Sequence, residues 1–175
     1  MAGGHSITGS VRAGVDDADP RTPLQREFGE ALSRWASGVA VVAVRNGPSI
    51  AAITATAFTS VSLDPPLILV CVGDDATVSP PLLAEGERFG VSILREEQRR
   101  LASMYADRGP LARERFAGEG DPVLEDALAA LGCVVREIHP AGDHHVVIGE
   151  ADRVETGPSA DSPLLYYRRE YRALG

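Results

Sequence analysis

Asn46-Gly47 stands between two runs of small apolar residues, VAVVAVR before it and SIAAITATA after it. The dipeptide is a strong hairpin signal, because its residues accept the left-handed backbone of a two-residue turn. Further short apolar runs follow. LILVCV at Leu67–Val72 is continuous, so it is expected to lie centrally in its sheet. FGVSIL at Phe89–Leu94 reads as another strand, and CVVREI and HVVIGEADRV as two more joined by a short turn at Pro140–Asp143. The C-terminal LLYYRREYRAL reads as a strand or a tight hairpin. Helices are few. Pro23 opens one with Leu24, Phe28, Leu32 and Trp35 at helical spacing and Gly38 as its stop. Ser79 is the expected N-cap of a second, with Pro80 at its first position and Gly86 at its end. Glu96 to Tyr105 reads as a third, with Leu101, Met104 and Tyr105 on one face. Six or seven closely spaced strands with so little helix favour an antiparallel barrel over a doubly wound sheet.

The chain of 175 residues, 44% of them hydrophobic, fits one domain with a real core. Residues 1–22, rich in Gly, Ser and Asp, read as a flexible tail, and 23–175 as the domain. The polar, Gly-rich stretch from Ala106 to Pro122 reads as a mobile loop. A net charge of −8 argues against nucleic acid or an anionic membrane as the main partner. No apolar run approaches the roughly 20 residues of a membrane helix, and the N-terminus lacks the apolar core of a signal peptide. Cys71 and Cys133 match no zinc or CxxC spacing and read as buried thiols in a reducing compartment. A cytoplasmic location is expected. The four histidines lack metal-ligand spacing. There is no G-x-G-x-x-G and no Walker loop, so a nicotinamide cofactor would not sit in a Rossmann crevice.

The chemistry concentrates in ITATAFTSVSLDPPLILV, from Ile53 to Val70. Thr54, Thr56, Thr59, Ser60 and Ser62 put hydroxyls among small alanines, so the backbone can approach a planar ligand while hydroxyls and N–H groups meet its polar edges. The same residues also suit a plain Thr-rich strand. Phe58 reads as a core position.

Four blocks of this chain resemble the flavin reductase-like family, the small NAD(P)H:flavin oxidoreductases that feed two-component monooxygenases. They are RWASGVAVVAVR at Arg34–Arg45, TATAFTSVSLDPPLILVCV at Thr54–Val72, AGDHHVVIGEADRV at Ala141–Val154 and PLLYYRREYRAL at Pro163–Leu174. The resemblance runs from about Phe28 to Leu174, and FTSVSLDPPL paired with GDH is specific. It implies a mainly β fold, an FMN-binding split β-barrel of antiparallel Greek-key type. It also implies a homodimer with the flavin in a groove between the subunits.

The implied activity is reduction of FAD or FMN by NADH, in preference to NADPH, with reduced flavin passing to a separate flavin-dependent monooxygenase. A flavin does the redox work itself, so the protein has only to hold and tune it. By the resemblance, Thr54, Ala55, Thr56 and Ala57 run along the flavin, and Thr59 and Ser60 are candidates for its ribityl or phosphate. Cys71 and Thr77 bound the place where the family often supplies a basic residue for the phosphate. Here Asp74 and Asp75 stand instead, so they turn to solvent or the phosphate leans on Thr77, Ser79 and the following helix N-terminus. His144, in the GDH pattern, falls near the open flavin face, where it would fix hydride-transfer geometry. A lone histidine is more often structural than catalytic, and His145 and His139 are equally surface candidates. Tyr167 and Arg168 are the candidates near the C-terminus, and an aromatic edge strand with snorkelling arginines is the plainer alternative. Two other classes fit the same fold. One is a flavin-, haem- or deazaflavin-binding module without turnover, and the other is a dimeric interaction protein.

Overall fold

A hairpin supplies the first strands of the main sheet, and the computed structural model shows how the rest wraps around it. It describes residues 20–106, 116, 120–158 and 160–174. Most of the expected tail and most of the Ala106–Pro122 segment lie outside the described residues. In chain order the elements are α1 (Pro23–Leu32), β1 (Ser37–Gly38), β2 (Ala40–Asn46), β3 (Ser49–Ala55), β4 (Phe58–Leu63) and β5 (Pro66–Gly73). A 3-10 turn at Pro80–Leu83, β6 (Arg88–Ile93), a second 3-10 turn at Glu96–Gln98 and α2 (Arg99–Ala106) follow. Then come β7 (Ala129–Ala141), β8 (His144–Thr156), β9 (Leu165–Tyr167) and β10 (Glu170–Arg172).

Seven strands form one sheet in the order β3-β2-β6-β7-β8-β5-β4, and every pairing in it is antiparallel. A small second sheet holds β1, β9 and β10. The edge strands β3 and β4 are neighbours in sequence, separated only by Thr56 and Ala57. The sheet therefore curls until its edges meet at this link, yet no ladder joins them. One local bond marks the corner, from the Cys71 N–H to the Ala57 carbonyl at 3.0 Å. The result is a split β-barrel.

Local chemistry explains most elements. Thr22 and Gln25 form a capping box at the start of α1, with Pro23 in the first turn. The β2–β3 turn is one residue later than the dipeptide suggested. Asn46 pairs with Ser49, so Gly47 and Pro48 are central, and Gly47 takes φ +56°. β2 is apolar from Ala40 to Val44 because both of its faces are buried there. Val42 and Val44 enter the barrel with Val70, Val72, Phe89, Val91, Val135 and Val147. Val41 and Ala43 face outward to Leu94, Leu101, Tyr105, Phe116 and Leu164. Gly149 is needed where β8 crosses the barrel core, since a Cβ there would lie 2.5 Å from Phe89 Cζ.

Several expectations change. α1 stops at Leu32, because Ser33 and the two residues after it turn the chain back. Its stripe is not core: Leu24, Phe28, Leu32 and Trp35 are 55–77% exposed in the single chain. The segment after Ser79 is a four-residue 3-10 turn, and the Ser79 side chain makes no capping bond. The third helix begins only at Arg99, after its own 3-10 turn. β5 is buried on one face only, where Ile68, Val70 and Val72 point inward, while Leu67, Leu69 and Cys71 remain half-buried.

One polar cluster pins the far side of the barrel. Arg88 Nε and Nη2 donate to Asp121 at 2.7 and 2.8 Å, and Nη1 and Nη2 donate to Asp152 at 2.8 Å. These bonds raise the guanidinium pKa and hold Asp152 below its usual range. Gly132 makes room for the Asp121 carboxylate, whose Oδ2 would sit 2.1 Å from a Cβ.

Candidate functional site

The link between the two sheet edges is where the site forms. β3 and β4 each pair on one side only, so a row of backbone N–H and C=O groups on the other side is left for a ligand. Thr56 and Ala57 line two concavities, one on each side of the link.

The first, of about 350 Å³, is polar. It brings together Thr54, Ala55, Thr56, Ala57, Cys71, Thr77 and His144, seven of the residues singled out in the sequence. Thr54 contributes less donor capacity than expected. Its hydroxyl donates to the Ala102 carbonyl of α2 at 2.7 Å, leaving its oxygen to accept. His144 pairs across the ladder with Gly73 at the end of β5. Its Nδ1 lies 2.8 Å from Asp143 Oδ1, and its Nε2 lies 3.7 Å from the position a Gly73 Cβ would take. The hydrogen bond from His144 holds the Asp143 carboxyl below its usual range. A carboxylate there fixes Nδ1 as the donor and leaves Nε2 turned to the cavity.

Asp74 and Asp75 part company. Asp74 Oδ1 is 2.9 Å from His145 Nδ1, an ion-pair distance without hydrogen-bond alignment. Asp75 lines the cavity beside Thr77. The segment Pro80–Leu83 is a four-residue 3-10 turn, too short to carry a helix dipole to its N-terminus.

The second concavity, of about 500 Å³, is an apolar groove under α1. Leu32, Trp35, Phe58, Leu69 and Tyr166 form its walls, and Thr56 and Thr59 its hydroxyl edge. Phe58, expected in the core, packs on the barrel core with one face and faces this groove with another. Ser60, Tyr167 and Arg168 line neither concavity. Ser60 lies further along β4, opposite Ile68. The β9–β10 turn presents Tyr166 and Arg169 to the groove, and Arg168 instead stacks over the Tyr167 ring at 5.5 Å. Strand alternation puts Tyr166 and Tyr167 on opposite faces, while the left-handed turn between the strands sets where Arg168 and Arg169 go. Trp35 was missed because it was read only as part of the apolar spacing of a helix. The signal available was that it is the chain's single tryptophan.

An aromatic groove joined to a hydroxyl-rich cleft by an unpaired backbone edge suits a flat, polar-edged ring. The family profile described as flavin reductase like domain matches residues 32–175. The chain belongs to the flavin reductase-like family. It is 42% identical over 151 residues to the reductase component of 4-hydroxyphenylacetate 3-monooxygenase from Thermus thermophilus, covering 86% of this chain and 97% of that one. Among solved structures, this flavin reductase-like chain superposes with a TM-score of 0.78 on BorF, the flavin reductase component of a bacterial two-component tryptophan halogenase. Those two are 39% identical, with 86% of this chain and 98% of BorF covered. The NADH:FAD oxidoreductase SgcE6 of Streptomyces globisporus, solved with NAD and FAD fragments, gives a TM-score of 0.78 at 32% identity, with 90% and 98% covered.

The two thiols of the flavin reductase-like chain provide a check on this site. Cys133 is fully buried, and burial pushes its thiol pKa up to about 12, with Asp121 and Asp152 adding to the effect. Cys71 is half-buried and lines the polar cavity. A thiol reagent at mildly alkaline pH is expected to label Cys71 alone in the folded protein, and both after unfolding. Bound FMN should slow the labelling of Cys71. Labelling of Cys133 at the same rate would contradict the core assignment.

Proposed function

We propose that this chain is an NADH:flavin oxidoreductase that reduces FMN or FAD and releases the product to a separate flavin-dependent monooxygenase. What carries the reading is the Thr56-Ala57 seam, with an aromatic groove on one side and His144 on the other. The relatives, named as flavin reductases and reductase components, support it. The residues present fit a flavin. The groove takes a planar ring, and the edge-strand backbone and Thr56 meet its polar rim. Bound flavin would supply the hydride chemistry, accepting two electrons from the nicotinamide.

The chain's own residues hold and orient. The small side chains from Thr54 to Ala57 let backbone come close to the ring. Backbone N–H groups along this edge favour the charge that a reduced ring acquires. His144, its Nδ1 held by Asp143, presents Nε2 to the cavity and sets where the nicotinamide lies. Cys71 and Gly73 keep the wall beside it low. Asp75 places negative charge in the polar cavity, which favours moderate affinity, about micromolar or −8 kcal/mol, and hence release of the flavin.

The exposed stripe of Leu24, Phe28, Leu32 and Trp35 borders the groove. A patch of this kind marks an interface, and a second copy of the chain covering it would complete the wall around the ring. The active species is therefore a homodimer. No described helix is long and apolar enough to cross a membrane. Two free cysteines fit a reducing compartment, and the cytoplasm is the proposed location.

The test is oxidation of NADH and NADPH with FMN, FAD or riboflavin added singly, with light scattering on the same preparation. Expected are many turnovers with NADH only when flavin is present, fewer with NADPH, and a dimer mass. Sub-stoichiometric oxidation with all three flavins would leave a binding module without turnover.

A further inference from the structure

The hairpin of β9 and β10 is made in an unfavourable way. Tyr167 pairs with Glu170, so Arg168 and Arg169 are the two central residues of the turn. Both have left-handed backbone, with φ +51° and +62°. A turn of this hand ordinarily takes Asn-Gly or Gly-Gly, because a Cβ in that conformation crowds the following carbonyl. Such strain persists where the surroundings impose it, and it collects at ligand clamps. Here the Arg168 N–H donates to the Ser33 carbonyl at 2.7 Å, tying the turn to the end of α1.

The consequence is the placement of one guanidinium. Arg169 is turned against α1, with Nη2 3.5 Å from the position a Gly29 Cβ would take, and it lines the apolar groove. It is the only basic side chain among the described residues of that groove. The neighbouring arginines are committed elsewhere. Arg168 covers Tyr167, Arg172 pairs with Glu170, and Arg99 covers Tyr171. Arg169 has no ion pair or hydrogen bond among the described residues. A planar fork of N–H donors at the rim of a groove for flat rings matches the phosphate that trails from a nucleotide's ring.

We propose that the strained Arg168-Arg169 turn is an anion clamp, with Arg169 binding the phosphate or diphosphate of a nucleotide at the rim of the groove. This rests on the flavin reductase reading. The phosphate can belong to the flavin or to NADH, and the test separates the two.

Arg169→Gln and the double variant Arg168→Asn/Arg169→Gly are compared with the parent by quenching of flavin fluorescence and by KM for NADH. With R169Q, Kd for FMN and FAD is expected to rise about tenfold, a loss of about 1.4 kcal/mol. Riboflavin, which has no phosphate, should bind within about twofold of the parent. The double variant should show the same loss and yet melt roughly 2–4 °C higher, because the turn strain is gone. A tenfold rise in KM for NADH with flavin affinity unchanged would assign the phosphate to the nicotinamide nucleotide and uphold the clamp. Unchanged Kd and KM throughout, an equal loss for riboflavin, or a double variant no more stable than the parent would overturn the proposal. A parent protein that binds FMN tenfold better than R169Q but oxidises no NADH would reject the reductase reading and leave the clamp standing.

Discussion

Replacing His144 with alanine is expected to lower NADH turnover about 100-fold, the size of effect that follows from losing alignment at a hydride-transfer site. Flavin affinity should change far less, because the groove and the Thr56-Ala57 seam keep their shape. The imidazole has the means to act in this way. Nδ1 is held by Asp143 at 2.8 Å, and Nε2 faces the cavity. His139→Ala is the control, since its ring pairs with Glu137 at the exposed end of β7 and lines neither concavity. It should leave turnover unchanged. Stopped-flow reduction of FMN by NADH separates the two quantities, and equal, small effects of both variants would make His144 a surface residue. The pH dependence has a definite sign. The Asp143 pKa lies below its usual range, so its carboxylate and its hold on Nδ1 persist through the ordinary aspartate range. Both are lost only as pH falls through the lowered value.

The largest loss of stability is expected from Arg88→Ala. Asp121 is 6% exposed at its side chain, and Arg88 is the cation bonded to it. Removing the guanidinium strands a buried carboxylate, at about 3 kcal/mol, the low end for broken buried pairs because Arg88 itself is half exposed. For a chain of this size that lowers Tm by about 10 °C. Asp152→Asn should cost no more than about 1 kcal/mol, since that carboxylate is 49% exposed. The pKa of Asp152 is lowered chiefly by its bond to Arg88. Its contribution is therefore complete above the ordinary aspartate range and fades as pH drops below it. Thermal melts at neutral and acid pH check both statements. A neutral Arg88→Ala would mean that Asp121 finds water in the folded state.

Strands were legible wherever burial is recorded as local composition. β2 is apolar on both faces, and β7 and β8 carry β-branched runs ended by Gly142, so they show without knowledge of their neighbours. An antiparallel barrel followed from the count and spacing of such runs, and its split form from the family resemblance. The TATA stretch was legible for a related reason, since small residues and hydroxyls leave a local mark that resembles the family's own. Three companions at the polar cavity, Cys71, Thr77 and His144, were singled out through the same resemblance.

What failed depended on register or on distance. The turn at Gly47-Pro48 sits one residue beyond the dipeptide that announced it, because pairing of Asn46 with Ser49 is set by the ladder. Tyr166 rather than Tyr167 faces the groove for the same reason, whereas Arg169 is placed there by the turn between the two strands. A one-residue change of register exchanges the faces of a strand, and composition is blind to it. Apolar spacing along α1 was real, but spacing records amphipathicity and does not say what covers the stripe. The groove itself draws on residues 29–37, 56–59, 69 and 166–169. Those segments meet only because the sheet curls until its first and last strands adjoin. The amino-acid sequence thus determined the strands, the small-residue seam and the family. Tertiary closure decided which side chains share a site, since that depends on contacts between segments more than a hundred residues apart, which no local pattern encodes.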